Sequence, residues 1–470
     1  SAVNLAAAGG NPTRALIVSF LVLILMGAFL LMLPRATTFE GSLGFVDALF
    51  TATSATCVTG LIVKDTGSDF TLMGQTIILT LIQLGGLGII IFGAVLSLLL
   101  GQAFTVRQSV AMQDLLSAQT LGRIVRMIGF IFAVTIGAEI AGAVLMFDMW
   151  DDLPGWIGNE QQQWFCSIFH SISAFCNAGF SLFEDSFIGY RRHWQIYGVV
   201  CPLIILGGLG FGVLYNLWNM VADRVRKFFR KQFYQRHLVI KEPPNRMQLQ
   251  TKVVLNISLG LIILCAAGLL VFENFAAESP HLGRGGIVGA FFQSVTARTA
   301  GFNTVNISQL SESSKFMLIL LMFIGGSPAS AAGGIKTVTL AVVLMTALAA
   351  VRKRREVEMF KRSVRLNIVA RAITVTLLFV FVLFGAVMAL SITESSNDFT
   401  MSDIMFEATS ALGTVGLSTG ITAALTSAGK LIIVAVMLTG RLGPLTLLAL
   451  LTFNLKPVPY NYPEESLIVG

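Results

Sequence analysis

A stretch of eleven residues, beginning with phenylalanine and ending with glycine, occurs four times along this chain. The copies are FTATSATCVTG ending at Gly60, FHSISAFCNAG ending at Gly179, FFQSVTARTAG ending at Gly301, and FEATSALGTVG ending at Gly416. The glycines lie 119, 122 and 115 residues apart. Because internal repetition constrains an architecture more strongly than local structure does, we expect four similar units around a shared axis.

A second motif follows each copy, and its first glycine comes 24 to 28 residues after the terminal glycine of the first motif. Its copies are QLGGLG from Gln83, ILGGLG from Ile205, FIGGSP from Phe323 and LTGRLG from Leu438. Because the two motifs occur together four times at nearly constant spacing, they indicate units of helix, half-helix, loop and helix. We place these units at residues 1–100, 101–222, 223–350 and 351–470, the last including a C-terminal tail.

The composition is that of an integral membrane protein, since 55% of the residues are hydrophobic and only 12% are charged. A helix needs roughly 20 apolar residues to cross a bilayer. Eight segments meet that length, which predicts an all-α membrane protein with eight spans. They are residues 14–34, 75–100, 124–147, 195–221, 250–272, 315–349, 367–391 and 429–454.

Two of these segments need comment. The first could be a secretory signal, but its apolar run is too long and no small-residue cleavage site precedes Pro34, so we interpret it as a helix. The segment 315–349 is too long for one span and contains GGSPASAAGG, so we expect a break there. The five cysteines lie in apolar or repeated stretches without CxxC spacing, and we expect buried thiols.

Charge placement predicts the orientation in the membrane. The linkers 101–126, 222–252 and 350–371, with Arg14 and Lys456, hold 22 of the 32 Lys and Arg residues. By the positive-inside rule these linkers face the cytoplasm, so the repeated stretches open outward. Their flanking loops are acidic, and an acidic mouth would concentrate cations, although any single residue fits an ordinary solvated loop equally well. These acidic residues include Glu40, Asp65, Asp69, Asp151, Asp152, Glu160, Glu184 and Asp185.

The repeated stretch fits a re-entrant half-helix, because it is too short and too rich in hydroxyl groups to span a bilayer. Irregular backbone at membrane depth is tolerated where it lines a water-filled cavity or is buried in protein. A terminal glycine can adopt angles forbidden to other residues, so the preceding carbonyl groups can point at a common axis. Rings of carbonyl oxygens replace the hydration shell of an ion in potassium filters. The alternative is small-residue packing between helices, as in GxxxG motifs. The carbonyl groups in question belong to Val58, Thr59, Gly60, Asn177, Ala178, Gly179, Thr299, Ala300, Gly301, Thr414, Val415 and Gly416.

These motifs resemble those of the Trk/Ktr/HKT superfamily of potassium transporters over nearly the whole chain. The most specific stretches are TSATCVTGL, HSISAFCNAGF, SVTARTAGFNT, EATSALGTVGLSTG, GGIKT, GRLGPLTL and NYPEESLIVG. The resemblance implies a potassium filter at Gly60, Gly179, Gly301 and Gly416, in a protein of the bacterial inner membrane with the filter mouth outward. It also implies a homodimer, a cytosolic ring of nucleotide-binding regulatory subunits, and sodium coupling or activation. The tail from Asn461 to Gly470 is a candidate for the dimer interface.

The resemblance also implies a gate below the filter, formed by an irregular loop in the third unit. The loop would comprise Gly325, Gly326, Ser327, Pro328, Ala329, Ser330, Ala331, Ala332, Gly333 and Gly334. Such residues unravel a helix, and the hydroxyls of Ser327 and Ser330 can bond the freed backbone groups. The alternative is a simple kink in a long helix.

Three basic residues lie inside the repeated regions, where ionisable groups are retained mostly when they are paired or line a pathway. Arg441 takes the place of a glycine in LTGRLG, and by resemblance it holds the loop and raises a barrier to cations; the alternative is an arginine bonded to backbone carbonyls. For Lys336, at the end of the loop, a structural and a gating role are equally expected. Arg298 is expected to support the filter through a salt bridge. Its candidate partners are Glu407 and Asp403.

The remaining features exclude several functions. The glycine-rich runs lack GxGxxG spacing, so no nucleotide site is expected. No cofactor is expected in this chain, and the resemblance implies K⁺ as the substrate. The sequence shows no catalytic constellation and no sign of nucleic-acid binding, which argues against an enzyme. The basic linkers 222–252 and 350–371 fit membrane lipids with anionic headgroups or an acidic protein. We treat Glu139 and His170 as hydrogen-bonded core residues. An alternating-access transporter of another monovalent cation is the alternative, but such proteins typically have inverted repeats.

Overall fold

The computed structural model describes residues 12–38, 41–88, 121–150, 159–233, 247–275, 286–354 and 356–443. Within these ranges the chain is mostly helical, as the sequence predicted, apart from a hairpin in which β1 (Glu358–Met359) pairs with β2 (Arg362–Ser363). Glu40, Asp151, Asp152, Lys456 and the tail 461–470 lie outside the described residues, as do parts of the predicted segments 75–100 and 429–454.

The helices follow the order expected for the four units. The first unit has α1 (Pro12–Leu31), α2 (Phe45–Cys57) and α3 (Leu72–Leu87), and the second has α4 (Leu121–Met146), α5 (Glu160–Phe175), α6 (Cys201–Leu209) and α7 (Phe211–Phe233). The third has α8 (Leu249–Phe275), α9 (Gly286–Thr296), α10 (Glu312–Phe323) and α11 (Thr337–Val351). The fourth has α12 (Leu366–Thr393), α13 (Met401–Gly413) and α14 (Ser427–Leu442).

Three described helices are long and apolar enough to cross a membrane, namely Arg126–Trp150, Leu249–Phe275 and Leu366–Thr393. A bent pair, Ile196–Leu209 with Phe211–Phe229, adds a fourth if it counts as one span. Large apolar side chains such as Leu264 and Phe381 are exposed on these helices, as expected where lipid is the solvent. The total of eight spans therefore stays a prediction.

The units contact one another in cyclic order. The second-motif helix of each unit packs against the half-helix of the next unit, in the pairs α3 with α5, α6 with α9, and α10 with α13. The pair α14 with α2 closes the circle, and there Lys430 Nζ lies 2.7 Å from Asp47 Oδ1. Each of the half-helices α2, α5, α9 and α13 therefore packs against the second-motif helix of the preceding unit.

The structure differs from the expectation of one continuous helix over residues 195–221. The chain bends by 104° between α6 and α7, and Gly210 at the bend has φ +86°. Gly88 and Gly443, which end the same motif in the first and fourth units, adopt φ +82° and end α3 and α14. The final glycine of the motif thus stops the helix, because its positive φ is incompatible with helix continuation.

Buried carboxylates stabilise the starts of two second-motif helices. Glu273, at the end of α8, accepts bonds from Ser311 N at 3.1 Å and Ser314 Oγ at 2.6 Å, at the start of α10. Glu394, after α12, accepts from Thr426 N at 3.1 Å and Thr426 Oγ1 at 2.6 Å, at the start of α14. A carboxylate at a helix N-terminus bonds backbone donors that would otherwise lack partners and opposes the helix dipole.

We expect Glu394→Gln to lower the free energy of unfolding by about 1.5–3 kcal/mol, since the loss concerns buried hydrogen bonds to a charged acceptor. Thermal unfolding of the protein in detergent would measure it. Glu358→Gln is the matched control, because its exposed ion pair with Arg354 is worth about 0–1 kcal/mol. Equal melting temperatures for the two variants would contradict the capping role of Glu394.

Candidate functional site

The terminal glycines of the four repeated stretches meet in the structure. A Cβ atom added to Gly60 would lie against the carbonyl oxygen of Ala178 and 3.1 Å from the Cα of Gly179. One added to Gly179 would lie against Ala300 O, 2.9 Å from the Cα of Gly301. The same relation continues from Gly301 to the fourth turn, and from Gly416 back to the first. The four turns therefore form a closed ring in chain order.

The same backbone conformation recurs in all four turns. The glycines have φ of +93° (Gly60), +70° (Gly179), +81° (Gly301) and +93° (Gly416). Two residues earlier the φ angle is again positive, at +58° (Val58), +58° (Asn177), +72° (Thr299) and +50° (Thr414). Left-handed backbone is costly for valine and threonine, and such strain persists only where the surrounding structure enforces it. The recurrence indicates that the turns are held for a purpose other than local stability.

Hydroxyl groups inside the half-helices hold the turns in place. Gly60 N donates to Ser54 Oγ, and Gly416 N donates to Ser410 Oγ, both at 3.1 Å. In the second and third turns the hydroxyl donates instead, from Ser173 to Phe180 O at 2.8 Å and from Thr296 to Phe302 O at 2.6 Å. Each turn is thus bonded to the half-helix that precedes it, and these hydrogen bonds restrict the orientation of the turn.

The half-helices end at these turns. Cys57 ends α2, Phe175 ends α5, Thr296 ends α9 and Gly413 ends α13, each within five residues of its glycine. The C-terminal end of a helix carries a partial negative charge, so four such ends around one ring favour a cation.

The second motif packs directly behind these ends. A Cβ added to Gly85 would overlap the carbonyl oxygen of Thr56, in α2. One added to Gly207 would overlap Phe175 O, and one added to Gly440 would overlap Leu412 O. This close approach explains why the two motifs occur together in each unit at nearly constant spacing. The small-residue packing that the sequence offered as an alternative for the first motif therefore describes the second motif.

A loop separates α10 from α11, where the sequence predicted a break. It is tied to the bend of the second unit, since Ser327 N donates to Gly208 O at 3.1 Å and Phe211 N donates to Ala329 O at 2.9 Å. Ser330 Oγ donates to Ser327 O at 2.7 Å and accepts from Ala332 N at 3.3 Å, so it does bond freed backbone groups. The Ser327 hydroxyl differs, because its contact is with the Thr337 hydroxyl at 3.4 Å.

Two basic side chains hold this loop. Arg441 donates from one guanidinium nitrogen to Ala331 O and from the other to Gly85 O, which connects the fourth unit to the third and the first. Lys336 Nζ donates to Ala332 O at 2.5 Å, within the loop itself. Both side chains thus bond backbone carbonyl groups of the loop, and Arg441 also bonds one in the second motif of the first unit.

The salt bridge expected for Arg298 does not form. The carboxylate of Glu407 accepts from the hydroxyls of Ser418 and Thr422, and Asp403 Oδ2 accepts from Thr400 Oγ1 at 2.6 Å as part of a capping box. Arg298 is 9% exposed, and its Nε has no hydrogen-bond partner among the described residues. Both carboxylates prefer hydroxyl partners within their own unit, where less side-chain ordering is required.

Within the part of the chain that the structure describes, only one oxygen of the Glu139 carboxylate is hydrogen-bonded, whereas we expected a fully hydrogen-bonded core residue. Its Oε2 accepts from Gln83 Nε2 at 3.2 Å, whereas Oε1 is buried without a partner among the described residues. The expectation holds for His170, whose Nδ1 lies 2.9 Å from Cys166 O and whose Nε2 accepts from Leu182 N at 3.3 Å. All five cysteines are free and buried.

The sequence reasoning did not single out several residues that contact the turns or Glu139. Ser54 and Ser410 lie inside the repeated stretch, six residues before the glycine, and their recurrence was the available signal. Gln83, which contacts Glu139 and accepts a bond from the Cys176 thiol at 3.6 Å, gave no signal of its own.

The chain is similar to several known proteins. Residues 5–458 match the family described as TrkH, cation transport protein. The Ktr system potassium uptake protein B of Bacillus subtilis (strain 168) is 38% identical over 441 residues, which cover 93% of this chain and 92% of that protein. The protein of the same description from Vibrio alginolyticus is 37% identical over 99% of this chain and 96% of its own length.

Two further matches are informative. The potassium/sodium uptake protein NtpJ of Enterococcus hirae is 33% identical over 98% of this chain and 97% of that protein. The crystal structure of the potassium transporter TrkH from Vibrio parahaemolyticus superposes with a TM-score of 0.71 at 18% identity, covering 94% of this chain and 85% of that one. At that identity the superposition establishes the fold.

Proposed function

Because this chain belongs to the TrkH family of cation transport proteins, we propose that it takes up potassium ions through the ring of turns at Gly60, Gly179, Gly301 and Gly416. Family membership makes it a transporter and not an enzyme. The observation that carries the proposal is the cyclic contact of the four turns, each glycine lying against the carbonyl groups of the next.

The chemistry of the ring fits a dehydrated monovalent cation. Carbonyl oxygens on four sides can replace the water shell of a potassium ion, and no charged side chain is needed to do so. The helix ends add a favourable partial charge without binding the ion too tightly to leave. The acidic outer loops would raise the local cation concentration. Four covalently joined units of one chain thus provide one pore.

The loop 325–334 is the gate in this proposal. In this proposal the loop lies on the cytoplasmic side of the ring. Arg441, which donates to Ala331 O, places a positive charge beside the loop. Cations leaving the ring would meet both the loop and this charge. Opening requires the loop to separate from Arg441 or from the bend at Gly210.

Assembly and coupling follow the relatives. Two relatives are named as proteins of a Ktr system, which supports an assembly with further subunits. In this proposal the chain forms a homodimer bound to a cytosolic nucleotide-binding regulatory ring, as the sequence resemblance implies. A third is named as a potassium/sodium uptake protein, which supports a role for Na⁺ in coupling or activation. The location in this proposal is the bacterial inner membrane, with the ring opening outward and the basic linkers at the cytoplasmic side.

Rubidium uptake into vesicles that contain the purified protein tests the proposal. We expect uptake driven by an outward potassium gradient, inhibited by external K⁺ at much lower concentration than by external Na⁺. Protein-free vesicles and vesicles with heat-denatured protein are the controls. Equal inhibition by K⁺ and Na⁺ would rule out potassium selectivity. Exchange of rubidium for potassium without net ion flux would favour an alternating-access transporter.

A further inference from the structure

Helix α7 has two exposed faces of opposite character. Large apolar side chains occupy one face at helical spacing, and charged side chains occupy the other. The apolar residues are Trp218, Val221, Val225, Phe228 and Phe229, all between 47% and 65% exposed. The charged residues are Asp223, Arg224, Arg226 and Lys227. A helix that exposes both faces is suited to a boundary between an apolar phase and water.

The bend at Gly210 turns α7 away from the direction of membrane crossing. The angle between Ile196–Leu209 and Phe211–Phe229 is 104°, so α7 runs nearly at right angles to α6. If α6 crosses the bilayer as part of the second unit, α7 extends along the bilayer surface.

Hydrogen bonds fix the level of α7 relative to the membrane. Asn216 Oδ1 accepts from Gln248 N at 3.2 Å and from Thr251 Oγ1 at 3.0 Å. Gln248 and Thr251 lie at the start of α8, which has 27 residues and can cross the hydrocarbon core completely. The start of α8 therefore lies near one membrane surface, and Trp218, only two residues beyond Asn216, lies there too.

From these placements we propose that α7 lies in the cytoplasmic membrane interface and binds anionic lipid headgroups. The apolar face of α7 enters the acyl region, and Arg224, Arg226 and Lys227 contact phosphate groups. Tryptophan prefers this depth, because its ring is apolar and its N–H group needs a polar partner. Basic residues near an anionic leaflet contribute about 1 kcal/mol each. This inference goes beyond potassium uptake and does not depend on it.

Spin labels on opposite faces test the placement in the full-length protein. Val225→Cys puts a label on the apolar face and Lys227→Cys puts one on the charged face, while the native cysteines are buried. In phosphatidylcholine vesicles containing phosphatidylglycerol, we expect the ratio of oxygen to nickel-chelate accessibility to be severalfold higher at 225 than at 227. Equal ratios, with both labels open to the nickel chelate, would place α7 in water and overturn the proposal. Dipolar coupling between labels at 225 would mean that a second copy covers this face, and would overturn it as well.

Removal of charge tests the headgroup preference. We expect Arg224→Gln with Arg226→Gln to lower the oxygen-to-nickel ratio at 225 about fivefold or more, and omission of phosphatidylglycerol to do the same. The matched control is Arg352→Gln with Lys353→Gln, which removes two exposed charges at the end of α11 and should leave the ratio unchanged. The anionic-lipid assignment would be overturned if the oxygen-to-nickel ratio at 225 stayed the same both without phosphatidylglycerol and in the Arg224→Gln, Arg226→Gln variant.

Quenching of tryptophan fluorescence tests the same placement with at most one conservative substitution, so misfolding of a variant is less of a concern. Acyl chains brominated near the headgroup should quench part of the tryptophan fluorescence, and because Trp164 and Trp194 are also exposed, Trp218→Phe should lower the quenched fraction without abolishing it. If quenching is the same in Trp218→Phe, Trp218 does not reach the bilayer and the proposal fails. None of these readouts requires ion flux, so their failure is distinguishable from failure of the potassium proposal.

Discussion

Replacement of Gly301 by serine is expected to reduce rubidium uptake by about tenfold to a hundredfold. The new Cβ would press on the Val415 carbonyl oxygen and lie 3.2 Å from the Cα atoms of Gly179 and Gly416, at a φ of +81° that a side chain resists. Because this glycine touches both neighbouring turns, the ring must distort on two sides. We also expect K⁺ and Na⁺ to inhibit the remaining uptake more equally.

Gly420→Ser is the matched control for this change. Gly420 also has a positive φ, +102°, but an added Cβ there would meet nothing within 4 Å. The control carries the same kind of backbone strain without crowding the ring, so its uptake should stay close to that of the unmodified protein. Both variants are compared at equal amounts of monodisperse protein. Unchanged uptake and ion preference in Gly301→Ser would remove the ring from the transport pathway.

Replacement of Arg441 by glutamine is expected to raise basal rubidium uptake by about tenfold or more, because hydrogen bonds to a charged group contribute roughly 1.5–3 kcal/mol each. Arg441 bonds both Ala331 O and Gly85 O, so its loss frees the loop. In the proposed pathway the loss also removes a positive charge that cations would meet. Uptake measured without regulatory subunits would show the increase directly.

Arg441→Lys separates the two effects of Arg441. Lysine keeps the charge but cannot bond two carbonyl groups with a rigid fork, so we expect a smaller increase than with glutamine. Arg354→Gln, which breaks an exposed ion pair with Glu358, should leave uptake unchanged. A fall in uptake for Arg441→Gln, in a protein with an unchanged melting temperature, would mean that Arg441 supports the open state.

The sequence predicted the family, the helical class and the meeting point of the four turns. Family membership is confirmed by the comparisons. The turns could be foreseen because their signal is local, since a glycine after a half-helix rich in small residues has few other conformations available. Positive φ at Val58 and Thr414 could not be foreseen, because these residue types normally avoid it.

Side-chain partners were predicted less well, and the reason is physical. Arg298 and Glu407 were assigned to each other because opposite charges attract, but Glu407 bonds Ser418 and Thr422. A buried carboxylate needs hydrogen-bond donors, so any nearby hydroxyl competes with an arginine for it. The spacing of residues in the sequence does not reveal which hydroxyl is near. The bend at Gly210 was missed for a similar reason, since the residues on both sides are apolar enough to continue a helix.

The contacts of Arg441 join three different units, which four identical units could not provide with a single arginine. A channel assembled from four identical subunits would carry four arginines at this level, and their mutual repulsion in a narrow, poorly hydrated space would be severe. Within one chain each unit can diverge, so the fourth unit supplies the arginine, the third the loop that it bonds, and the first the backbone acceptor at Gly85. These contacts between three different units are therefore available only to a chain whose four units are similar but not identical.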